Sequence, residues 1–261
     1  MFKFYKYHGA GNDFILLDNR GKKFNFHDKK MVKKLCDRHF GIGADGLILL
    51  EKERGYDFKM IFVNNDGSMG SMCGNGGRCI VHFAHNILKI IKNPKKIKFL
   101  AVDGEHEAEV LKNGLIKLKM QDVSEIGIQN GLTFLHSGTT PHHIRFVLNL
   151  ENFPVCLETR KIRDNDKDPK GVNINYVEYK KGIFHVRTYE RGVEDEVMAC
   201  GTGATSVAIA SHHLGKLKEN ICRIKMPGGN LTVEFEKVKN GTYQNIWLTG
   251  PAVCVFEGEI K

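Results

Sequence analysis

The spacing of apolar and polar positions changes period along the chain, and the changes predict its elements. Alternation over Phe2–Tyr7 and a continuous apolar run over Phe14–Leu17 predict two strands around the turn Gly9-Ala10-Gly11-Asn12. Asp28 is placed to cap a helix reaching Phe40, with Met31, Val32, Leu35, Cys36 and Phe40 on one face and Gly41 as its stop. The strands Leu47–Leu50 and Phe58–Val63 follow. From Cys79 to Ile91 most residues are apolar, and His82, Asn86, Lys89 and Lys92 form a narrow polar stripe at three- and four-residue spacing, the pattern of a mostly buried helix.

Ahead of that helix lies Asn64-Asn65-Asp66-Gly67-Ser68-Met69-Gly70-Ser71-Met72-Cys73-Gly74-Asn75-Gly76-Gly77-Arg78. Glycines in such a loop admit positive φ and close approach of a ligand to the backbone. Cys73 falls at the helix start, where unpaired N–H groups and the helix dipole favour an anion. A thiol that ordinarily titrates near ~8.5 can be brought to roughly 3.5–7.5 in such a setting.

The pattern then repeats. Glu190-Arg191-Gly192 leads through Met198-Ala199-Cys200-Gly201-Thr202-Gly203 into the apolar stretch from Ala204 to Ala210, preceded by a strand over Ile183–Tyr189. After the first helix come strand-like runs Ile97–Val102, Glu107–Leu111 and Leu115–Met120, with Gly104 between the first two. After the second come Ile221–Met226, Leu231–Phe235 and Tyr243–Leu248, with Gly228 in the matching place. This is an internal repeat of about half the chain. The halves are expected to join near Gln121–Gln129, where the strand pattern breaks. Ser137 to Ile144 reads as a turn entering a strand, Val172–Val177 as an alternating strand, and Arg163 to Gly171 as a charged surface loop.

Composition narrows the class. At 261 residues and 41% hydrophobic, the chain can bury roughly 70–75% of its unfolded surface, enough for one large or two modest cores. Cysteines at 36, 73, 79, 156, 200, 222 and 254 are odd in number and scattered, which argues for a reducing compartment. The N-terminus has no apolar signal core and no run approaches membrane-spanning length, so cytoplasm is expected, with no membrane partner. The net charge of +9 is spread along the chain without a dense basic block, which argues against a nucleic-acid partner.

Two half-chains, each with a cysteine at a helix start, suit inversion of a carbon centre by two bases: a thiolate takes the proton from one face and a thiol returns one to the other. A metal site would bring Cys-x-x-Cys or His-x-x-x-His spacing, and a structural disulfide would not need glycine-rich anion-binding turns. Neither a metal nor another cofactor is expected.

His8-Gly9-Ala10-Gly11-Asn12-Asp13-Phe14, Arg38 to Gly46, Met72-Cys73-Gly74-Asn75-Gly76, Tyr189-Glu190-Arg191-Gly192 and Ala199-Cys200-Gly201-Thr202-Gly203 together resemble the diaminopimelate epimerase family, over nearly the whole chain. The resemblance implies an α+β fold of two pseudo-symmetric domains, each a mainly antiparallel sheet wrapped around a central helix. Residues 1–120, completed by a C-terminal strand over 252–261, would carry Cys73, and residues 121–251 would carry Cys200. It implies a pyridoxal-independent epimerase, a homodimer, interconverting LL- and meso-2,6-diaminopimelate in lysine and cell-wall precursor synthesis. Cys73 and Cys200 would be the bases, with His142 tuning Cys73 by holding the proton its thiolate has lost, and Glu190 the proton partner of Cys200. Asn12, Asn64, Gly74, Asn75, Asn173, Glu190, Arg191, Gly201 and Thr202 would bind substrate, Arg191 gripping the distal carboxylate. Thr140 stands where the family usually has an asparagine, Gly46 where many relatives have glutamine, and Asn175 shares a face with Asn173. Two alternatives stay open: a two-cysteine racemase of the proline racemase kind, although those usually carry histidine in place of Asn75, and a non-enzymatic binding relative of the fold.

Overall fold

The first sheet begins as a hairpin, β1 (Phe2–Gly9) and β2 (Asn12–Asp18), turned by Ala10 at φ 54° and Gly11 at φ 88°. Two left-handed residues in succession match the twist of the strands they join. The computed structural model describes residues 2–129, 131–163, 171–238 and 241–260. It falls into two units, one of residues 1–118 and 250–261, the other of residues 119–249.

In the first unit α1 (Lys29–Cys36) follows β2, and then come β3 (Gly46–Glu51), β4 (Phe58–Asn64), α2 (Gly74–His82), β5 (Ile97–Ala101), β6 (Gly104–Val110) and β7 (Ile116–Lys119). In the second lie β8 (Ile126–Gln129), β9 (Leu132–Ser137), β10 (Thr140–Phe146), α3 (Val155–Arg163), β11 (Asn173–Lys180), β12 (Ile183–Glu190), β13 (Asp195–Val197), α4 (Gly201–His213), β14 (Ile221–Met226), β15 (Gly229–Lys237) and β16 (Tyr243–Gly250). The last strand, β17 (Val253–Ile260), returns to the first unit and pairs antiparallel with β1.

The two ladders follow one plan. β2–β3 and β4–β5 are parallel, and β3–β4, β5–β6 and β6–β7 antiparallel. In the second unit β10–β11 and β12–β14 are parallel, and β11–β12, β14–β15 and β15–β16 antiparallel. The chain is therefore an α+β protein of two pseudo-symmetric, mainly antiparallel units. Each has one nearly wholly buried helix, α2 or α4, lodged against its sheet.

Both central helices include the glycines after the cysteine, and α2 begins at Gly74, directly after Cys73 as expected. It passes into a π-turn over Phe83–Ile87 and stops before Lys89, whose φ of 52° breaks it short of Ile91. α1 also stops early. Asp28 caps it by accepting from Met31 N at 3.0 Å, but Asp37 turns extended and its carboxylate takes the N–H groups of His39 and Phe40. This local turn replaces the last helical turn and leaves Phe40 87% exposed instead of on the buried face. The stretch expected to break the strand pattern contains β8, which pairs with β9. Of the charged loop after Arg163, residues 164–170 lie outside the described residues; Arg163 itself ends α3.

Candidate active site

Cys73 is the N-cap of α2, with extended backbone (φ −104°, ψ 123°), and the helix begins on four buried residues, Gly74, Asn75, Gly76 and Gly77. Its thiol donates to Asn12 Oδ1 at 3.5 Å, an oxygen that also accepts from Asn75 Nδ2 at 3.1 Å. Charges at both ends decide which way these two amides face. Asn12 Nδ2 gives its proton to Asp45 Oδ2 at 2.6 Å, and Arg38 Nη2 holds Asp45 Oδ1 at 2.7 Å. Arg78 Nη2 donates to Asn75 Oδ1 at 2.8 Å.

Arg78 is wholly buried. Its other protons go to Gly74 O at 3.1 Å and Pro251 O at 3.3 Å, so it clamps the first turn of α2. Burial lowers its pKa, since a guanidinium is costly to desolvate. The hairpin tip sits just as close: a Cβ on Gly9 would lie 2.8 Å from Asn75 O, which only a glycine permits. Next to Asn12, Asp13 is bridged by Arg38 and Lys6. Desolvation works against its carboxylate, but those hydrogen bonds outweigh it and hold its pKa down at about 2. Asn64 ends β4 and is occupied locally, its Nδ2 donating to Ser68 Oγ at 3.0 Å.

Cys200 is the N-cap of α4 in the same extended conformation (φ −128°, ψ 115°), with different partners. Its sulfur accepts from Gly203 N at 3.3 Å and from Asn173 Nδ2 at 3.8 Å, and Thr202 Oγ1 lies 3.4 Å away. Donors at a helix N-terminus converge on this sulfur, an arrangement that suits a thiolate. Asn173 Oδ1 accepts from Arg191 N at 3.0 Å, which ties the start of β11 to the turn after Glu190, the last residue of β12. Arg191 Nη1 reaches Gly171 O at 3.4 Å.

Behind this lies a buried amide cluster. Asn175 donates through Nδ2 to His143 O and to His142 Nδ1, each at 3.1 Å, and accepts from Thr188 Oγ1 at 2.8 Å. Of the two asparagines on this face of β11, Asn173 touches Cys200 and Asn175 serves the interior. Burial pushes the His142 pKa down to about 3, with repulsion from Arg191 adding to it, so the ring is neutral at physiological pH. Thr140 opens β10, paired with Ser137.

Three of the other thiols, all buried, are poor nucleophiles for a plain reason. Burial pushes Cys36 and Cys222 up to about 12, and Cys79 higher. Among the described residues no group of three or more His, Cys, Asp or Glu is placed to hold a metal, and no helix is long and apolar enough to cross a membrane. Arg38, Asp45 and Asn175 stand among the residues singled out by sequence, but the braces Arg38–Asp45 and Thr188–Asn175 do not, and Thr188 is a new residue of the site. The usable signal for the second was register, since Thr188 pairs directly with Asn175 across β11–β12.

The diaminopimelate epimerase family model matches residues 4–126 and 134–255. The diaminopimelate epimerase of Flavobacterium psychrophilum is 50% identical over 260 residues, covering 99% of this chain and 100% of its own. That of Chlorobaculum tepidum is 42% identical, covering 97% and 98%. Among solved structures, a phenazine biosynthesis protein of the PhzF family from Bacillus anthracis superposes with a TM-score of 0.78 at 16% identity, over 100% of this chain and 99% of its own. A probable proline racemase from Agrobacterium radiobacter K84 gives 0.70 at 14% identity, over 100% and 93%. At such identities these two structures speak to the fold alone.

Proposed function

Since the chain belongs to the diaminopimelate epimerase family and is thus an isomerase of the epimerase type, we propose that it interconverts LL- and meso-2,6-diaminopimelate by two-base proton transfer at the α-carbon, with no pyridoxal or metal. Cys73 and Cys200 are the bases, one thiolate and one thiol, acting on opposite faces of that carbon. The observation that carries the reading is the repeated device: a cysteine at the N-cap of a buried, glycine-led helix in each unit.

The first N–H groups of a helix have no partner within it. Those of Gly74, Asn75, Gly201 and Thr202 serve the α-carboxylate as it takes on enolate character, each worth about 2.7–4 kcal/mol by analogy with other oxyanion donors. Asn12, Asn64 and Asn173 bind substrate, and Arg191 binds the distal carboxylate and so restricts which amino acid reacts. Glu190 partners Cys200 and His142 partners Cys73. Placement of the acid and base contributes about 10²–10⁴-fold. The same reading makes the working protein a cytoplasmic homodimer in lysine and cell-wall precursor synthesis.

The test is α-proton exchange in D₂O. LL-diaminopimelate should gain deuterium and yield the meso form, and Cys73→Ala or Cys200→Ala should each abolish turnover. Full turnover in either variant would remove the two-base scheme. Exchange into proline instead would favour a proline racemase-like activity, and exchange into neither a binding role.

A further inference from the structure

We infer that His142 works as a neutral hydrogen-bond donor through Nε2, and that Asn175, oriented by the His143 carbonyl, is the positioning residue that fixes this tautomer. The inference accepts the reading of His142 as part of the site and deepens it, replacing a ring that stores a proton with one that offers a fixed N–H.

His143 O can only accept, so the end of the Asn175 amide 3.1 Å from it must be the NH₂ group. The other end is then Oδ1, and Thr188 Oγ1 donates to it at 2.8 Å. One proton of that NH₂ serves His143 O, and the second faces His142 Nδ1 at 3.1 Å. Nδ1 must therefore present its lone pair, which puts the ring proton on Nε2.

An imidazolium would need a proton on Nδ1 as well, pointed straight at an N–H that cannot turn away. Asn175 has no such freedom: it is fully buried, all its hydrogen bonds are taken up within the unit, and its Oδ1 lies 2.5 Å from where a Cβ on Gly203 would stand. The surroundings agree. Arg191, His136 and His143 all disfavour positive charge on His142, as does its complete burial.

Nε2 is buried and has no hydrogen-bond partner among the described residues. A donor kept in that condition is provided for by something that arrives. Through Asn173, its register partner on β11, His142 is one strand from the residue that touches the Cys200 sulfur. The matching acceptor is an anionic oxygen or sulfur in the reacting complex.

The test is ¹⁵N NMR of the full-length protein labelled at histidine, with the His142 signals assigned by their loss in His142→Gln. Expected is a pyridine-type Nδ1 and a pyrrole-type Nε2, unchanged from about pH 5 to about pH 8, where an ordinary imidazole changes charge. Asn175→Asp puts a carboxylate against Nδ1. It should move the proton there or protonate the ring, and lower turnover by about 10²–10⁴-fold. Thr188→Val should leave the tautomer as it is. A pyrrole-type Nδ1, or a protonated ring at neutral pH in the parent protein, overturns the inference even if Asn175→Asp does not fold. The spectrum is read without substrate, so failure of the proposed activity and failure of this inference are separate results.

Discussion

Gly76 and Gly203 hold the same place in the two units, each three residues past its cysteine, yet alanine should be tolerated at one and not at the other. A Cβ on Gly203 would stand 2.5 Å from Asn175 Oδ1, 3.2 Å from Cys200 Cβ and 3.3 Å from Cys200 Sγ. Asn175 cannot yield cheaply, because moving it breaks its bond from Thr188 and disturbs those to His142 and His143. Overpacking costs about 1–3 kcal/mol and orphaning a buried polar group about 1–3 more. Alanine's helix propensity returns about 1 kcal/mol, so Gly203→Ala should destabilise by about 3 kcal/mol. At Gly76 the nearest atoms are Ile48 Cδ1 at 2.8 Å and Met60 Cε at 3.3 Å, tips of flexible side chains. There a cost of about 1 kcal/mol is offset by a propensity gain of similar size. Urea unfolding measures both variants, by circular dichroism for the chain and by fluorescence of the single tryptophan, Trp247 on β16, for the unit holding Gly203. With a slope of about 1–3 kcal/mol per molar urea, the Gly203→Ala midpoint should fall by about 1 M or more. A Trp247 transition coinciding with the parent's, or a larger loss for Gly76→Ala, would refute the reasoning.

Asp45→Asn removes a charged acceptor from Asn12, a bond worth about 1.5–3 kcal/mol when buried and nearer about 1 here, since the Asp45 side chain is 43% exposed. Turnover in the exchange assay should drop about fivefold with little change in urea midpoint; an unchanged kcat would show that Asp45 does not orient Asn12. Asp13 makes stability depend on pH. Its folded pKa of about 2 lies below the usual 3.8, so its contribution, on the order of 2 kcal/mol, is present above the usual value and lost as pH falls toward the folded one. Urea midpoints of the parent and Asp13→Asn should differ at about pH 7 and converge by about pH 2; a difference that persists in acid would assign the effect to packing.

Sequence periodicity revealed those elements whose apolar positions face a core. The strands around each cysteine loop, and the helices after them, carry long buried runs, and their doubling was readable from spacing alone. α3 was not legible, because only Val155 and Thr159 of its nine residues are buried and one of those is polar. β8 is illegible for a related reason: it has no buried residue and Ile128 is 80% exposed, so its pairing with β9 leaves little trace in hydrophobicity. Phe40 continues the apolar stripe and so predicts a longer α1 than forms, because Asp37 diverts the backbone N–H groups that a further turn would need. In the candidate site, the family resemblance points to Asn12 and Asn173. The braces behind them are not legible there: the motif that contains Asp45 does not show that its carboxylate holds Asn12, and Thr188 acts through register and contact rather than through any motif.

The two sulfurs show what a repeat fixes and what it leaves open. Both cysteines have extended backbone at the head of a buried helix, so each inherits the same dipole and the same run of N–H groups. Their side-chain partners have opposite sense. At Cys73 the asparagine from the neighbouring strand turns its carbonyl oxygen toward the sulfur, because Asp45 claims its NH₂ group. At Cys200 the asparagine turns its NH₂ group toward the sulfur, because the backbone N–H of Arg191 claims its oxygen. One environment accepts a hydrogen bond from sulfur and the other donates hydrogen bonds to it. A duplicated frame thus offers one place suited to a thiol and one suited to a thiolate, and the difference rests on which end of a single amide each neighbouring group holds.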